Sequence, residues 1–264
     1  MISNAIEPQM ILRSVMKHVR DQNWLAVGLD FFIVVVGVFI GIQVSNWNED
    51  NIQRNQESVY LRLLEADVLS SRELAQSTLD MLLRQDDARR RLYSFSADDG
   101  SADELQEIPG LLNLAIWAMP TMEFNQTTFE TLKSTGQLDV FGDESLIREL
   151  TDLQSDILDI RRREALKTTT LVNLTDPMLI EHVDMAHMLS EPAISGRRNT
   201  IDWLPQPDSS FESNDFLKSI QFRNMILART IPSKNRIRAL ELMDERYQRI
   251  LSLIDARQAR LMTR

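Results

Sequence analysis

Hydrophobic and polar positions follow three different rules along this chain. From Leu25 to Val44 the run "LAVGLDFFIVVVGVFIGIQV" is apolar at almost every position. About 20 residues is the length an α-helix needs to cross a hydrocarbon core. A helix apolar on every face is unlike the one-sided stripe of a soluble helix. Trp24 and Trp47 bracket the run, roughly 34 Å apart along a helix axis, and suit interfacial anchors. The bulky, polar "QVSNWNED" that follows offers no small-x-small site for cleavage of a signal peptide, which favours a retained anchor. Residues 23–45 are therefore read as a transmembrane helix.

Upstream, "ILRSVMKHVR" sets Ile11, Leu12, Val15, Met16 and Val19 on one stripe with basic residues opposite. This predicts a short amphipathic helix on the inner membrane surface within residues 1–22, and His18 belongs to it. Arg13, Lys17 and Arg20 precede the span. Arg54 and Arg62 follow it among Glu49, Asp50 and Glu57. The positive-inside rule then puts the amino terminus in the cytoplasm and residues 46–264 outside, in the periplasm of a bacterial inner-membrane protein.

Beyond the span the pattern turns amphipathic. No glycine or proline lies between Gly41 and Gly100, so the membrane helix is expected to run on into a long soluble one. Val59, Leu63, Ala66, Leu74, Met81, Ala88 and Leu92 recur near a 3.5-residue spacing and form its expected seam. "SFSADDGSADE" reads as a loop. A helix around "ADELQEI" is expected to meet Pro109-Gly110, with the apolar "LLNLAIWAM" after it. Thr127 and Glu130 have capping-box spacing, and Gly136 supplies a stop. Asp143 caps a helix with the stripe Leu146, Ile147, Leu150, Leu153, Ile157 and Ile160, extending to about Thr175 before Asp176-Pro177. "PMLIEHVDMAHML" predicts one further helix, and "SEPAISGRRNTIDWLPQPDSS" an irregular crossing. A helix from Asn214 to about Thr230, then another from Ser233, complete the pattern. The expected fold is all-α: an N-terminal transmembrane helix continuing into an antiparallel bundle of long helices.

Asp30 breaks the apolar run. On a helix it falls within about 40° of one line with Asn23, Ala26, Gly37, Gly41 and Asn48. Gly37 and Gly41 have the G-x-x-x-G spacing that lets two helices approach closely, and an acid on that side is expected to face protein. Asp30, Gly37 and Gly41 are therefore the expected assembly face, toward a second copy or another membrane protein. The alternative is that Asp30 is protonated or reaches the headgroups.

Two stretches carry a resemblance: "QVSNWNE", Gln43 to Glu49, and "TFETLKSTGQLDVFGDESLIREL", Thr128 to Leu150. They resemble the Q-[IV]-x-N-W-N-E and T-x-x-E-L-x-S-[ST]-G-x-L patterns of an uncharacterised bacterial family of single-pass membrane proteins. Members more often carry Gly-Glu at the intramembrane acid, where this chain has "GLD". The resemblance implies a membrane-anchored, mostly helical protein and no activity.

Charge and candidate chemistry narrow the function without naming it. A net charge of −10 argues against electrostatic nucleic-acid binding, and the absence of cysteine excludes disulfides and thiol chemistry. The metal candidate is "EHVDMAH", with Glu181, Asp184 and His187. His182 and His187, five apart on one helix, would point about 140° away from each other and make a poor ligand pair. Asp86-Asp87 and Asp98-Asp99 read as solvated charge, and Arg161–Arg163 and Arg197-Arg198 as ordinary surface. Trp203, in a proline-flanked loop, is either a partner-binding anchor or tucked onto the bundle. No phosphate loop, nucleophile elbow or H-E-x-x-H occurs, and no cofactor is expected. The expectation is a membrane-anchored interaction or scaffold protein. The alternatives are a periplasmic ligand sensor acting through a partner, or a membrane-tethered metal-dependent hydrolase.

Overall fold

The computed structural model describes residues 24–98, 102–117, 120–170, 173, 175–190, 203 and 215–263, and every regular element among them is helical. In chain order these are α1 (Trp24–Ala97), α2 (Ala102–Leu112), a π-helical turn (Asn113–Trp117), α3 (Thr127–Ser134), a 3-10 turn (Leu138–Phe141), α4 (Glu144–Thr170), α5 (Asp176–His182), α6 (Met185–Ser190) and α7 (Ile220–Met262). The all-α expectation is met. The inner-surface helix, Asp99, Arg197-Arg198 and Asn214 lie outside the described residues.

The chain divides into two compact units, Met1–Gln56 and Glu57–Arg264, and α1 contributes residues to both. In the first unit, α1 is unbroken from Trp24, and its apolar side chains from Leu29 to Val44 are exposed or nearly so.

In the second unit, α1, α4 and α7 are the long helices. Partners fall along α7 as they rise along α1. Glu57 accepts from Arg257 at 3.0 Å, Asp244 from Arg72 at 2.7 Å, Asp86 from Lys234 at 2.7 Å, and the Ser96 carbonyl from Arg223 at 2.9 Å. The two helices are therefore antiparallel. The same logic makes α4 antiparallel to α7: Asp156 accepts from Arg246 at 2.9 Å and Glu164 from Arg236 at 2.7 Å. One apolar cluster joins Leu61–Leu82 of α1 to the α4 stripe and to Ile237–Ile254 of α7. A second joins Ala88, Leu92 and Phe95 to the Ile108–Ile116 stretch, Leu179, Met188 and Phe222–Ile226.

The seam of α1 departs from the expected one along most of its length, and of the expected positions only Ala88 and Leu92 are buried. Leu61, Leu64, Val68, Ser71, Ala75, Thr78, Leu82, Gln85, Arg89 and Leu92 are buried at alternating spacings of three and four, whereas Val59, Leu63, Ala66 and Leu74 are exposed and Met81 is half-buried. Four polar residues sit in the true seam, so a count of apolar residues favours the wrong stripe. They are tolerated because they are bonded: Ser71 donates to the Asn125 carbonyl at 2.8 Å and Thr78 to the Leu74 carbonyl at 2.9 Å.

Of three expected breaks, the one after Tyr93 is displaced and the other two do not occur. The helix before "SFSADDG" runs on to Ala97, with Phe95 and Ser96 buried. α2 passes through Pro109 and hands over to the π-helical turn, and α7 passes through Pro232. A proline inside a helix costs about 3 kcal/mol or more. Each fully buried large apolar side chain returns about 1.5–3 kcal/mol, and Ile108, Leu111, Leu112, Leu114 and Ile116 are all buried around Pro109. Met225, Ile226, Ile237 and Leu240 do the same around Pro232. α7 begins at Ile220, where the Ser219 hydroxyl accepts from the Phe222 N–H at 3.1 Å.

Three local expectations change in detail, and two hold. The capping box at Thr127 is absent: the Asp67 carboxylate of α1 accepts the Thr128 N–H at 2.7 Å instead. "PMLIEHVDMAHML" is two helices, because Val183 is extended (φ −127°, ψ 133°) and Asp184 accepts the Ala186 N–H at 2.9 Å, starting a new one. The Asp86 carboxylate is buried, not solvated. Gly136 ends α3 in the left-handed region (φ 68°), and Asp143 caps α4 by accepting from Ser145 at 2.9 Å and Leu146 at 3.2 Å.

Candidate functional site

Among the described residues, one helix is long and apolar enough to cross a membrane, and none of its most apolar window is buried. Because α1 is α-helical without interruption here, Asp30, Gly37 and Gly41 fall within about 20° of one line. All three are exposed, and a Cβ added at Gly37 or Gly41 would meet nothing within 4 Å. The line is an open, flat strip bearing one carboxyl group. Trp47 is exposed beyond the far end. Trp24 opens the helix.

The "EHVDMAH" stretch gathers less than its composition suggests. Asp184 accepts from the Ala186 backbone and lies 3.0 Å from His187 Nδ1. The backbone hydrogen bond, then the histidine, hold the Asp184 carboxyl below the usual carboxylate range. Glu181 is exposed on α5, across the Val183 break, and the His182 ring packs 4.4 Å from that of Phe216. Among the described residues no three His, Asp or Glu side chains converge as metal ligands.

A charged layer that sequence reasoning missed separates the two apolar clusters. On α1 it consists of Gln85, Asp86 and Arg89; on α7 of Arg229, Ser233, Lys234 and Arg236. Arg89 and Arg229 are each only 4% exposed. The arginines gather the chain leaving the π-helical turn. Arg89 Nε donates to the Ala115 carbonyl at 3.1 Å, Arg229 to the Ile116 carbonyl, and Arg236 to the Pro120 carbonyl at 2.7 Å. A π-helical turn at a helix end leaves such carbonyls without intrahelical donors, and guanidinium groups satisfy them. Arg229 also pairs with Asp176, Arg236 with Glu164 (2.7 Å), and Lys234 with Asp86 (2.7 Å).

Burial pushes the Arg89 guanidinium down to about 10; Asp86 opposes the shift, and Arg229 and Arg236 add to it. Burial likewise lowers Arg229 and Arg236, opposed by Asp176 and Glu164 respectively. A signal for this layer was present in the sequence of α7, where Arg229 and Ser233 stand at core positions of an otherwise apolar register. Beside it, a cleft of about 590 Å³ between α4 and α7 is bordered by Arg236, Glu164 and Pro232 over a floor of Met122, Ile160 and Met243.

Of the remaining candidates, Arg163 pairs with Asp159 at 2.7 Å on the exposed face of α4, Arg161 lies 5.9 Å over the Phe124 ring, and Asp98 is exposed. Trp203 is 80% exposed. No family model, curated protein or solved structure matches this chain.

Proposed function

We propose that this is a single-pass membrane protein that works by binding, assembling through the Asp30–Gly37–Gly41 strip of its membrane helix. The observation that carries this reading is the unbroken helix that sets Gly37, Gly41 and Asp30 within about 20° of one line on an exposed face. Small residues let two backbones approach to van der Waals contact, and an intramembrane carboxyl is least costly against protein. The partner is a second copy or another membrane protein. Basic residues before the span favour a cytoplasmic amino terminus with the helical bundle in the periplasm of a bacterial inner membrane. The QVSNWNE signature supports placing the chain with the uncharacterised single-pass family it resembles.

Crosslinking in native membranes tests the strip. Gly37→Leu with Gly41→Leu is expected to abolish the crosslinked species, and Asp30→Asn to weaken it more than Asp50→Asn. Unchanged crosslinking in the double variant refutes the assembly face. Protease added to spheroplasts is expected to digest the bundle without lysis, and digestion only after lysis reverses the orientation.

A further inference from the structure

We propose that the arginine layer of the bundle binds one small oxyanion, a phosphate-like or carboxylate ligand, between Arg89, Arg229 and Arg236. The layer is incomplete as a set of polar contacts. Arg89 Nη1, Arg229 Nε, Arg236 Nε and Ser233 Oγ are buried with no hydrogen-bond partner among the described residues. Buried donors are almost always paired, and an unpaired one keeps its full desolvation penalty. Arg229, Ser233 and Arg236 recur at one-turn spacing on α7, so three of the four atoms belong to one face of one helix.

The charges are also unbalanced. Arg89, Arg229, Arg236 and Lys234 stand against Asp86, Asp176 and Glu164, which leaves one positive charge in excess. Arg90 adds a further contact to Asp86 from the exposed rim. Arg89 is the odd member. Its partners among the described residues are the Ala115 carbonyl and, at 3.0 Å, the Gln85 side chain, and no carboxylate among them lies within ion-pair distance. A guanidinium buried with no carboxylate in direct contact, beside two more, is an arrangement that an anion relieves. Arginine's planar fork suits an oxyanion, whether tetrahedral phosphate or planar carboxylate. Arg236, 15% exposed at its side chain, borders the α4–α7 cleft and so connects the layer to solvent. This site is independent of the membrane strip.

The test uses the full-length protein in detergent, exchanged into chloride buffer and titrated at constant ionic strength with inorganic phosphate and, separately, with malonate. Calorimetry and thermal unfolding are read together. The expected result is saturable binding of one ligand per chain with a rise in Tm. Phosphate alone active assigns a tetrahedral ligand, and malonate alone a carboxylate. Arg89→Met and Arg236→Gln are each expected to weaken binding about tenfold or more, while the exposed Arg62→Gln leaves it unchanged. If Arg89→Met does not fold, Arg236→Gln and the wild-type titration decide. No saturable binding and no Tm rise beyond the chloride control overturns the site, leaving the donors to water. An equal loss in Arg62→Gln also overturns it, since it marks diffuse attraction.

Discussion

Leu63 and Leu64 are neighbours in sequence and opposites in the fold, and they give the sharpest test of how α1 packs. Leu64 is 2% exposed inside the first apolar cluster, and Leu63 is 50% exposed on the outer side. Leu64→Ala removes a side chain whose burial is worth about 1.5–3 kcal/mol by transfer alone. The rigid surroundings of α4 and α7 close only partly over the gap, which takes the total to about 2–5 kcal/mol. Leu63→Ala gives up only the half of that surface already withdrawn from water and leaves no enclosed cavity. Its cost is at most about 1 kcal/mol, partly offset by alanine's better helix propensity. The two variants should therefore differ by about 1 kcal/mol or more. For a unit of this size that is at least about 2–4 °C in Tm. Thermal and urea unfolding of the full chain in detergent, at dilution low enough that association does not contribute, reads the difference. Equal destabilisation, or a larger loss in Leu63→Ala, would restore the Val59–Leu63–Leu74 seam and refute the register.

Two further predictions concern contacts that join elements distant in sequence. Asp67→Ala should destabilise the bundle by about 1 kcal/mol, because the α3 terminus loses its only carboxylate acceptor among the described residues. Thr127→Ala, at an exposed hydroxyl bonded only to the adjacent Asn125 side chain, should fall within about 0.5 kcal/mol of wild type by chemical denaturation, and the reverse order would reinstate the local capping box. The hydrogen bond from Arg72, and more weakly those from Gln248 and Gln76, hold the Asp244 carboxyl below its ordinary range. A depressed carboxyl contributes stability above its unfolded-state pKa, and that contribution is lost as pH falls through the folded value. Arg72→Gln should thus cost about 1 kcal/mol or less at pH 7, and that cost should shrink as pH falls below the ordinary carboxylate range, as read by urea unfolding at successive pH values. A gap that persists in acid would show that Arg72 acts by packing and not by charge.

What was legible in the sequence is what depends on neighbours along the chain. The membrane-length run, the uninterrupted α1, the Asp143 cap, the Gly136 stop and the α4 stripe each follow from residues within two turns of one another, and the all-α class follows from their sum. Tertiary packing decided the rest. It carried α2 and α7 through Pro109 and Pro232, because buried leucine and isoleucine outweigh a missing hydrogen bond. It turned α1 by one register step, because Ser71 and Arg89 find partners on other elements of the bundle that no local pattern reveals, while Thr78 and Gln85 bond within their own helix. It also made a charged layer of residues scattered from Gln85 to Arg236. Local sequence specifies which helices form, since their hydrogen bonds close within four residues; which side chains meet depends on contacts between elements distant along the chain, and only the folded chain brings those together.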